Sequence, residues 1–448
     1  MEEQSKRGLR ISDLNDYIVQ DIISILPIKE AVRTSVLSKK WEHLWKSISK
    51  LDLDEEAHEN REQFKDFIEN ILLVFNTSGI RKFSLSFQVG EDVAQVNKWL
   101  SRVVNPNIEE VTLDLGKPEQ QLFFHEHIFI SRTLTKLKLS MHHVIEFPSS
   151  IQFRSLKILS MEHVIFPDTS STQFFFSSSC PSLEELTLAN CNWINVIEVI
   201  ISCPLLQKLV IEEWEDNDED DENNDPGGCK IVINGTNITS FSYGGNLIND
   251  YSLSHSTSSV TDVCIMVYRE GDNWETGYFV LKLLTALANT VEKLKISDYA
   301  FEALSRTSFS FEHIPLFQNL VELNVVLPID LSSEALQVIF RNSHHLKALN
   351  FLMGVYLPKD CENYIFPLPC CFGTYLKTIK IYYFYGTEAE LNAIKFLLQE
   401  ASVLETLYVY IDEEHDYDSP TGEDMLEEIY DQIMQYPRAS KDCELELE

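Results

Sequence analysis

Basic residues are scarce in this chain of 448 residues: 36 Lys and Arg stand against 70 Asp and Glu, for a net charge of −34. A surface of that sign repels polyanions, which excludes a general nucleic-acid binder and a binder of anionic membranes. Long hydrophobic runs are also missing, and none approaches the roughly 18 residues needed to span a bilayer. Met1 to Arg7 contain no apolar core, so no secretory leader is expected there. The nine cysteines include no C-x-x-C pair, and Cys370 and Cys371 are merely adjacent. Reduced thiols in a reducing compartment follow, and the sequons at Asn76, Asn234 and Asn237 are read as chance. G-x-x-x-x-G-K, G-x-G-x-x-G, H-E-x-x-H and G-x-S-x-G are all absent. His142-His143 and His344-His345 are adjacent pairs whose side chains diverge on a strand, and His125 and His127 have only Glu126 beside them. No metal site is expected from either pattern. Cys180 and Cys203 each precede a proline and read as structural, with no polarising base in view. These gaps point away from an enzyme and from any cofactor. What is present, 44% hydrophobic and 11% aromatic residues, suffices to bury a core. A soluble, acidic protein of the cytoplasm or nucleus is expected.

The charge is uneven. Residues 1–50 hold nine Lys/Arg against seven acids, a balance of +2, which leaves −36 for the remainder. From Glu212 to Asp225 ten of fourteen residues are acidic, and Pro226-Gly227-Gly228 follow. Such a block repels itself, so 212–228 is expected to be a solvated loop. It lacks the alternating ligands, turn glycine and closing Glu of a calcium loop. From Asp412 onward fourteen acids face only Arg438 and Lys441, which predicts an exposed acidic tail over 431–448.

Between Leu14 and Ser47 the spacing predicts three short helices. Ile18, Ile22, Ile25 and Leu26 form one apolar stripe, and Pro27 ends that segment. Ala31, Val32, Ser35 and Val36 form a second stripe of small residues. Ser38 is a suitable N-cap for a third helix carrying Trp41, Leu44 and Trp45. A segment of about 45 residues with two tryptophans is too small to bury all of this by itself, which points to a partner surface.

Arg10-Ile11-Ser12-Asp13-Leu14, Leu26-Pro27 and the run Lys29 to Trp45 closely resemble a plant F-box. The resemblance implies docking on a Skp-family adaptor, and through it on the cullin and RING subunits of a ubiquitin ligase. The docking face or its support would comprise Leu14, Asn15, Ile18, Ile22, Leu26, Pro27, Val32, Val36, Trp41, Leu44 and Trp45. The family usually has Leu-Pro where this chain has Leu14-Asn15. Proline there is pre-organised for the helix and touches the adaptor in the family, so Asn15 implies a weaker grip.

Beyond residue 55, apolar residues at i, i+3 and i+5 recur thirteen times, starting at Ile80, Ile108, Leu134, Leu156, Leu183, Leu206, Ile238, Val260, Val291, Leu320, Leu346, Leu376 and Leu404. The mean spacing is 27 residues, which is that of leucine-rich repeats, whose period is roughly 20–29. The pattern predicts short strands joined by helices such as 335–340 and 391–400, stacked into a curved solenoid. Strand residues at i+2, i+4 and i+6 line its concave face, which then carries seven lysines and seven acids. Lys293, Lys295, Lys380, Tyr382, Tyr408 and Tyr410 are the candidate target-binding residues on that face.

Leu376 to Ile381, Tyr385 to Leu391, Phe396 to Glu400 and Val403 to Leu407 look like the FBD module that follows leucine-rich repeats in a plant F-box subfamily. The expected organisation is α/β: an F-box at 1–54, a leucine-rich-repeat solenoid at 55–355, an FBD module at 356–430 and the tail. The resemblances imply a non-catalytic substrate receptor of a Skp-cullin-F-box ligase that holds a protein marked for ubiquitination. Two other readings stand beside it: an F-box scaffold with no part in ubiquitin transfer, and a small-molecule co-receptor that would need a basic pocket.

Overall fold

The computed structural model describes the chain except for residues 1–13, 38, 40, 43, 76, 121–125, 149, 194, 214–227, 255–258, 269–273, 307–310, 360–366, 412–428 and 448. Two compact units emerge. One comprises residues up to 197 with 203–206, and the other 198–202 with everything from 207 onward.

The first unit opens with α1 (Asp16–Ile25) and α2 (Ile28–Arg33). Between them Pro27, at φ −52° and ψ 143°, breaks the helix as its ring requires. Two 3-10 turns follow, Thr34–Val36 and Leu44–Ser47, the second standing where a third helix was expected. The remaining elements are β1 (Lys50–Asp54), α3 (Arg61–Val74), β2 (Lys82–Phe87), α4 (Val93–Val103), β3 (Glu110–Leu115), α5 (Glu126–Phe129), β4 (Lys136–Val144), β5 (Ile158–Ile165), α6 (Thr169–Phe174) and β6 (Glu185–Ala189). The six strands form a parallel sheet in chain order.

The second unit has β7 (Glu198–Ile201), β8 (Lys208–Glu212), β9 (Lys230–Ile233), β10 (Ser240–Gly245), β11 (Asp250–Leu253) and β12 (Asp262–Val267). Next come α7 (Trp274–Leu287), β13 (Lys293–Ile296), α8 (Asp298–Arg306), β14 (Glu322–Val325), β15 (Ile329–Asp330), α9 (Glu334–Arg341), β16 (Ala348–Phe351) and β17 (Val355–Tyr356). The unit closes with α10 (Cys370–Thr374), β18 (Thr378–Phe384), α11 (Glu388–Glu400), β19 (Thr406–Ile411) and β20 (Glu444–Leu447). Its main sheet is parallel in the order β8-β10-β12-β13-β14-β16-β18-β19-β20. Strands β7, β9 and β11 pair as a second parallel sheet, so the connections after β8 and β10 are strands, while those after β12 are mainly helices.

The repeat arithmetic holds at every unit. Each of the thirteen predicted strands begins two residues after the first apolar position of its triplet. All 39 triplet residues are buried, none more than 4% exposed. Two further units lie outside the thirteen. Ile48, Leu51 and Leu53 place β1 in register with β2, Leu51 facing Phe83 and Leu53 facing Leu85. At the other end Leu445 of β20 faces Leu407.

Two expectations about acidic segments are corrected. Residues 431–448 are not a free tail: Ile433, Ser440 and Cys443 are buried, and β20 pairs with β19. The edge of β19 offers unpaired backbone groups, and a strand of alternating Glu and Leu can satisfy them while its acids stay in water. The block at 212–228 is not solvated throughout either. Glu212 ends β8 and Glu213 is only 6% exposed; residues 214–227 lie outside the described residues. The Glu213 carboxylate accepts from Tyr243 Oη at 2.6 Å, Asn249 Nδ2 at 2.6 Å, the Ile248 amide at 3.3 Å and Tyr251 Oη. Four donors make burial of one acid tolerable, and burial still pushes its pKa above the ordinary carboxylate value.

Polar positions tie neighbouring repeats together. At five triplets the residue just before donates its side chain to a carbonyl of the preceding repeat: Thr133 to Ile108 (2.7 Å), Ser155 to Arg132 (2.6 Å), Ser182 to Arg154 (2.7 Å), Ser259 to Ile238 (2.7 Å) and Asn319 to Asn289 (2.6 Å). Seven residues into the repeat, His163, Asn190, Leu327 and Tyr383 take φ of 54°, 51°, 77° and 54°, the first and last as irregularities within β5 and β18 and the other two just beyond β6 and β14. Among the described residues no helix is long and apolar enough to cross a membrane.

Candidate functional site

Helix α1 is apolar on both sides, and the fold chooses between them. Val19 and Ile23 are fully buried, whereas Ile18 (49%), Ile22 (37%) and Ile25 (82%) are exposed. Val36 (85%) and Leu37 (56%) extend the exposed apolar set beyond α2. Leu26, Val32 and Leu44 are half-buried, as is Leu14, and Pro27 is exposed. Trp41 (3%) and Trp45 (7%) are core residues. Trp45 packs against Phe75 with ring centroids 6.3 Å apart and donates Nε1–H to the Glu42 carbonyl at 3.0 Å. Both tryptophans therefore support the surface from beneath and do not form it. Asn15 is exposed immediately before α1, and its carbonyl accepts the Val19 amide at 3.0 Å, so the helix starts without proline. Ile25 and Leu37 were missed as surface residues because a stripe read from sequence does not say which side faces inward.

Next to this head, a cavity of about 310 Å³ is lined by Ile25, Pro27, Lys29, Lys50, Asp52, Asp54, His58 and Phe67, among others. Two lysines against two aspartates do not make the basic pocket that a co-receptor for an anionic ligand requires.

The second candidate region is the open face of the sheet in the second unit. Parallel pairing places Lys295, Asn324, Asn350, Lys380, Tyr408 and Glu446 in one row across β13, β14, β16, β18, β19 and β20. Lys380 lies over the Tyr408 ring, 5.1 Å from its centroid. Tyr382 and Tyr410 stack at 4.4 Å with 4° between their planes, and Tyr408 lies 6.3 Å from Tyr410. A one-residue bulge at Tyr382-Tyr383 separates the pairs Ile381–Val409 and Phe384–Ile411. Lys293 sits apart in the next row, in an ion pair with Glu322 at 3.7 Å.

Of the six predicted target-binding residues, the structure thus groups Lys380, Tyr382, Tyr408 and Tyr410, with Lys295 farther along the same row. Sequence reading missed three members. Glu322 Oε1 accepts from Asn324 Nδ2 at 3.2 Å and Asn350 Nδ2 at 3.3 Å, and Asn350 Nδ2 also reaches Asn324 Oδ1 at 2.9 Å. Asn350 is only 9% exposed, and its Oδ1 has no hydrogen-bond partner. Asparagine at i+4 in two successive repeats was the available signal. His142 stacks on His163 of the next strand, with centroids 4.0 Å apart, while His143 Nδ1 lies 3.3 Å from the Val144 carbonyl. His125 lies outside the described residues. Among the described residues no group of three His, Cys, Asp or Glu could hold a metal ion.

A helical head joined to parallel-strand repeats defines a leucine-rich-repeat protein. Comparison with known families is more particular. Residues 11–53 match the F-box domain, 71–310 match the At1g61320/AtMIF1 LRR domain, and 367–409 match FBD. The repeat match alone spans more than half of the chain, which belongs to the plant F-box/leucine-rich-repeat/FBD family. Similar proteins of Arabidopsis thaliana include the F-box/LRR-repeat protein At4g14096, 26% identical over 93% of this chain and 90% of its own length. The F-box protein At3g03040 is 28% identical over 91% of this chain and 90% of its own length. For the F-box/LRR-repeat protein At3g59200 the figures are 28%, 91% and 83%.

Proposed function

We propose that this chain is a non-catalytic substrate receptor of a Skp-cullin-F-box ubiquitin ligase. Its F-box would dock on a Skp-family adaptor through Ile18, Ile22, Ile25, Val36 and Leu37. The open face of the second unit would hold the protein to be ubiquitinated. Its mechanism is proximity: a target tethered near the conjugating enzyme reacts as if at high effective concentration. The observation that carries the reading is an exposed apolar stripe on a helix whose opposite side is already buried, within a segment matching the F-box domain. An apolar patch of that kind on an otherwise strongly acidic chain has the character of an interface.

The test is capture of a purified plant Skp-family adaptor by the full chain, by Ile22→Glu/Val36→Asp and by Asn15→Pro. Wild type should bind with one-to-one stoichiometry, and the double variant should lose at least tenfold in affinity while melting like wild type. If none of the folded proteins captures the adaptor, the receptor assignment falls. A second reading rests on Asn15: capture by Asn15→Pro alone would favour a scaffold that never presents targets to the ligase.

A further inference from the structure

The row across β13 to β19 is a chemically unfinished surface, and it defines what would finish it. Glu322 draws both asparagine amides toward itself, with Asn350 Nδ2 donating at 3.3 Å. The Asn350 carbonyl oxygen is left without a donor, although the residue is more than nine-tenths buried. That oxygen is itself enclosed, so what the row offers a partner comes from the residues that flank the asparagines. On either side of the asparagines stand Lys295 and Lys380. Lys293 has Glu322 as its counter-ion at 3.7 Å, but Lys295 and Lys380 have no acid within ion-pair distance among the described residues. Beyond Lys380, the stacked Tyr382–Tyr410 pair presents a flat aromatic surface.

We propose that this face binds an extended peptide segment of a partner protein carrying two carboxylate side chains four residues apart, with an aromatic or proline residue beyond them. The carboxylates meet Lys295 and Lys380, and the ring lies on the tyrosine stack. The spacing follows from the sheet: three steps of roughly 4.8 Å separate the strands of Lys295 and Lys380, about 14 Å in all, while an extended chain rises about 3.4 Å per residue. Lysine and stacked aromatics also suit a single-stranded oligonucleotide. A chain of net charge −34 opposes a polyanion far more than a segment with two acids. The inference rests on the receptor reading and names the chemistry of its target.

The experiment uses the full chain and fluorescein-labelled decapeptides, each with two glutamates four residues apart, a following tyrosine and varied intervening residues. Binding is read by anisotropy. Some peptides should bind saturably, and replacing both glutamates with glutamine should weaken them at least tenfold. Lys295→Ala/Lys380→Ala should lose a similar factor. Lys347→Ala, outside the row, should bind like wild type. The proposal is overturned if no peptide in the set binds, if the glutamine versions bind equally, if the double lysine variant is unaffected, or if a labelled 12-mer of deoxythymidine binds more tightly than every peptide. Adaptor capture is measured on the same preparations. Capture without peptide binding removes this inference alone, whereas loss of capture by wild type removes the receptor reading itself.

Discussion

Asp298 opens α8 with its carboxylate bonded to the Tyr299 amide at 2.6 Å. Burial pushes its pKa to about 6, with the nearby Glu302 charge adding to the rise against the pull of the Tyr299 bond. An unfolded aspartate titrates near 3.9, so the folded chain binds the proton more tightly across the interval between the two values. The favourable contribution is therefore complete below about pH 4 and is lost as the pH rises through about 6. Asp298→Asn should match wild type at pH 4 and exceed it at pH 7 by about 1–2 kcal/mol, the lower end reflecting partial exposure. Urea unfolding midpoints at the two pH values decide this, and a constant difference between the proteins would refute it. Neither this residue nor Glu213 could be recognised from sequence. Glu213 is one of ten acids in its run, and the tyrosines that hold it are 30 and 38 residues away.

At the scale of elements, α1 shows how far periodicity reaches. Ile18, Ile22 and Ile25 form one stripe and Val19 and Ile23 another, and each satisfies a helical repeat. Packing against the core buries the second stripe and leaves the first in water. Ile23→Ala should therefore destabilise the chain by about 2–4 kcal/mol, as truncation of a buried isoleucine does. Ile25→Ser should fall within about 0.5 kcal/mol of wild type. Chemical denaturation measures both, and equal costs would mean that the inward face is misassigned. The strands were easier to read, because alternation within six residues already separates the buried side from the open one. The bonds from Thr133, Ser155 and Ser182 to the preceding repeat escaped notice because each partner carbonyl lies about one repeat earlier in the chain.

For the whole molecule, the end of the sheet matters most. The FBD match stops at residue 409, within β19, yet β20 lies beyond it and covers that strand's edge. Ending the chain at residue 428 would remove β20 together with the buried Ile433 and Cys443. An uncovered β19 edge is a template for pairing with another chain. The truncated protein should form concentration-dependent oligomers in sedimentation velocity and melt below the full chain. A monomer with unchanged melting would show that β20 is not needed as a cover. Charge count alone makes the same segment read as an exposed tail, because it outweighs the two leucines that alternate with the acids.

The thirteen triplets, the parallel strands they form and the F-box and FBD resemblances were legible from residue order alone, since each depends on side chains within a few positions of one another. Which stripe of α1 is exposed, which acid of the run at 212–225 is buried, how the last strand is used and how Asn350 comes to lack a donor depended on residues brought together from about 26 to 38 positions apart or on the packing of a whole face. Local periodicity sets what can be buried. Only the folded chain decides which of the candidates is buried and which polar groups are left for a partner.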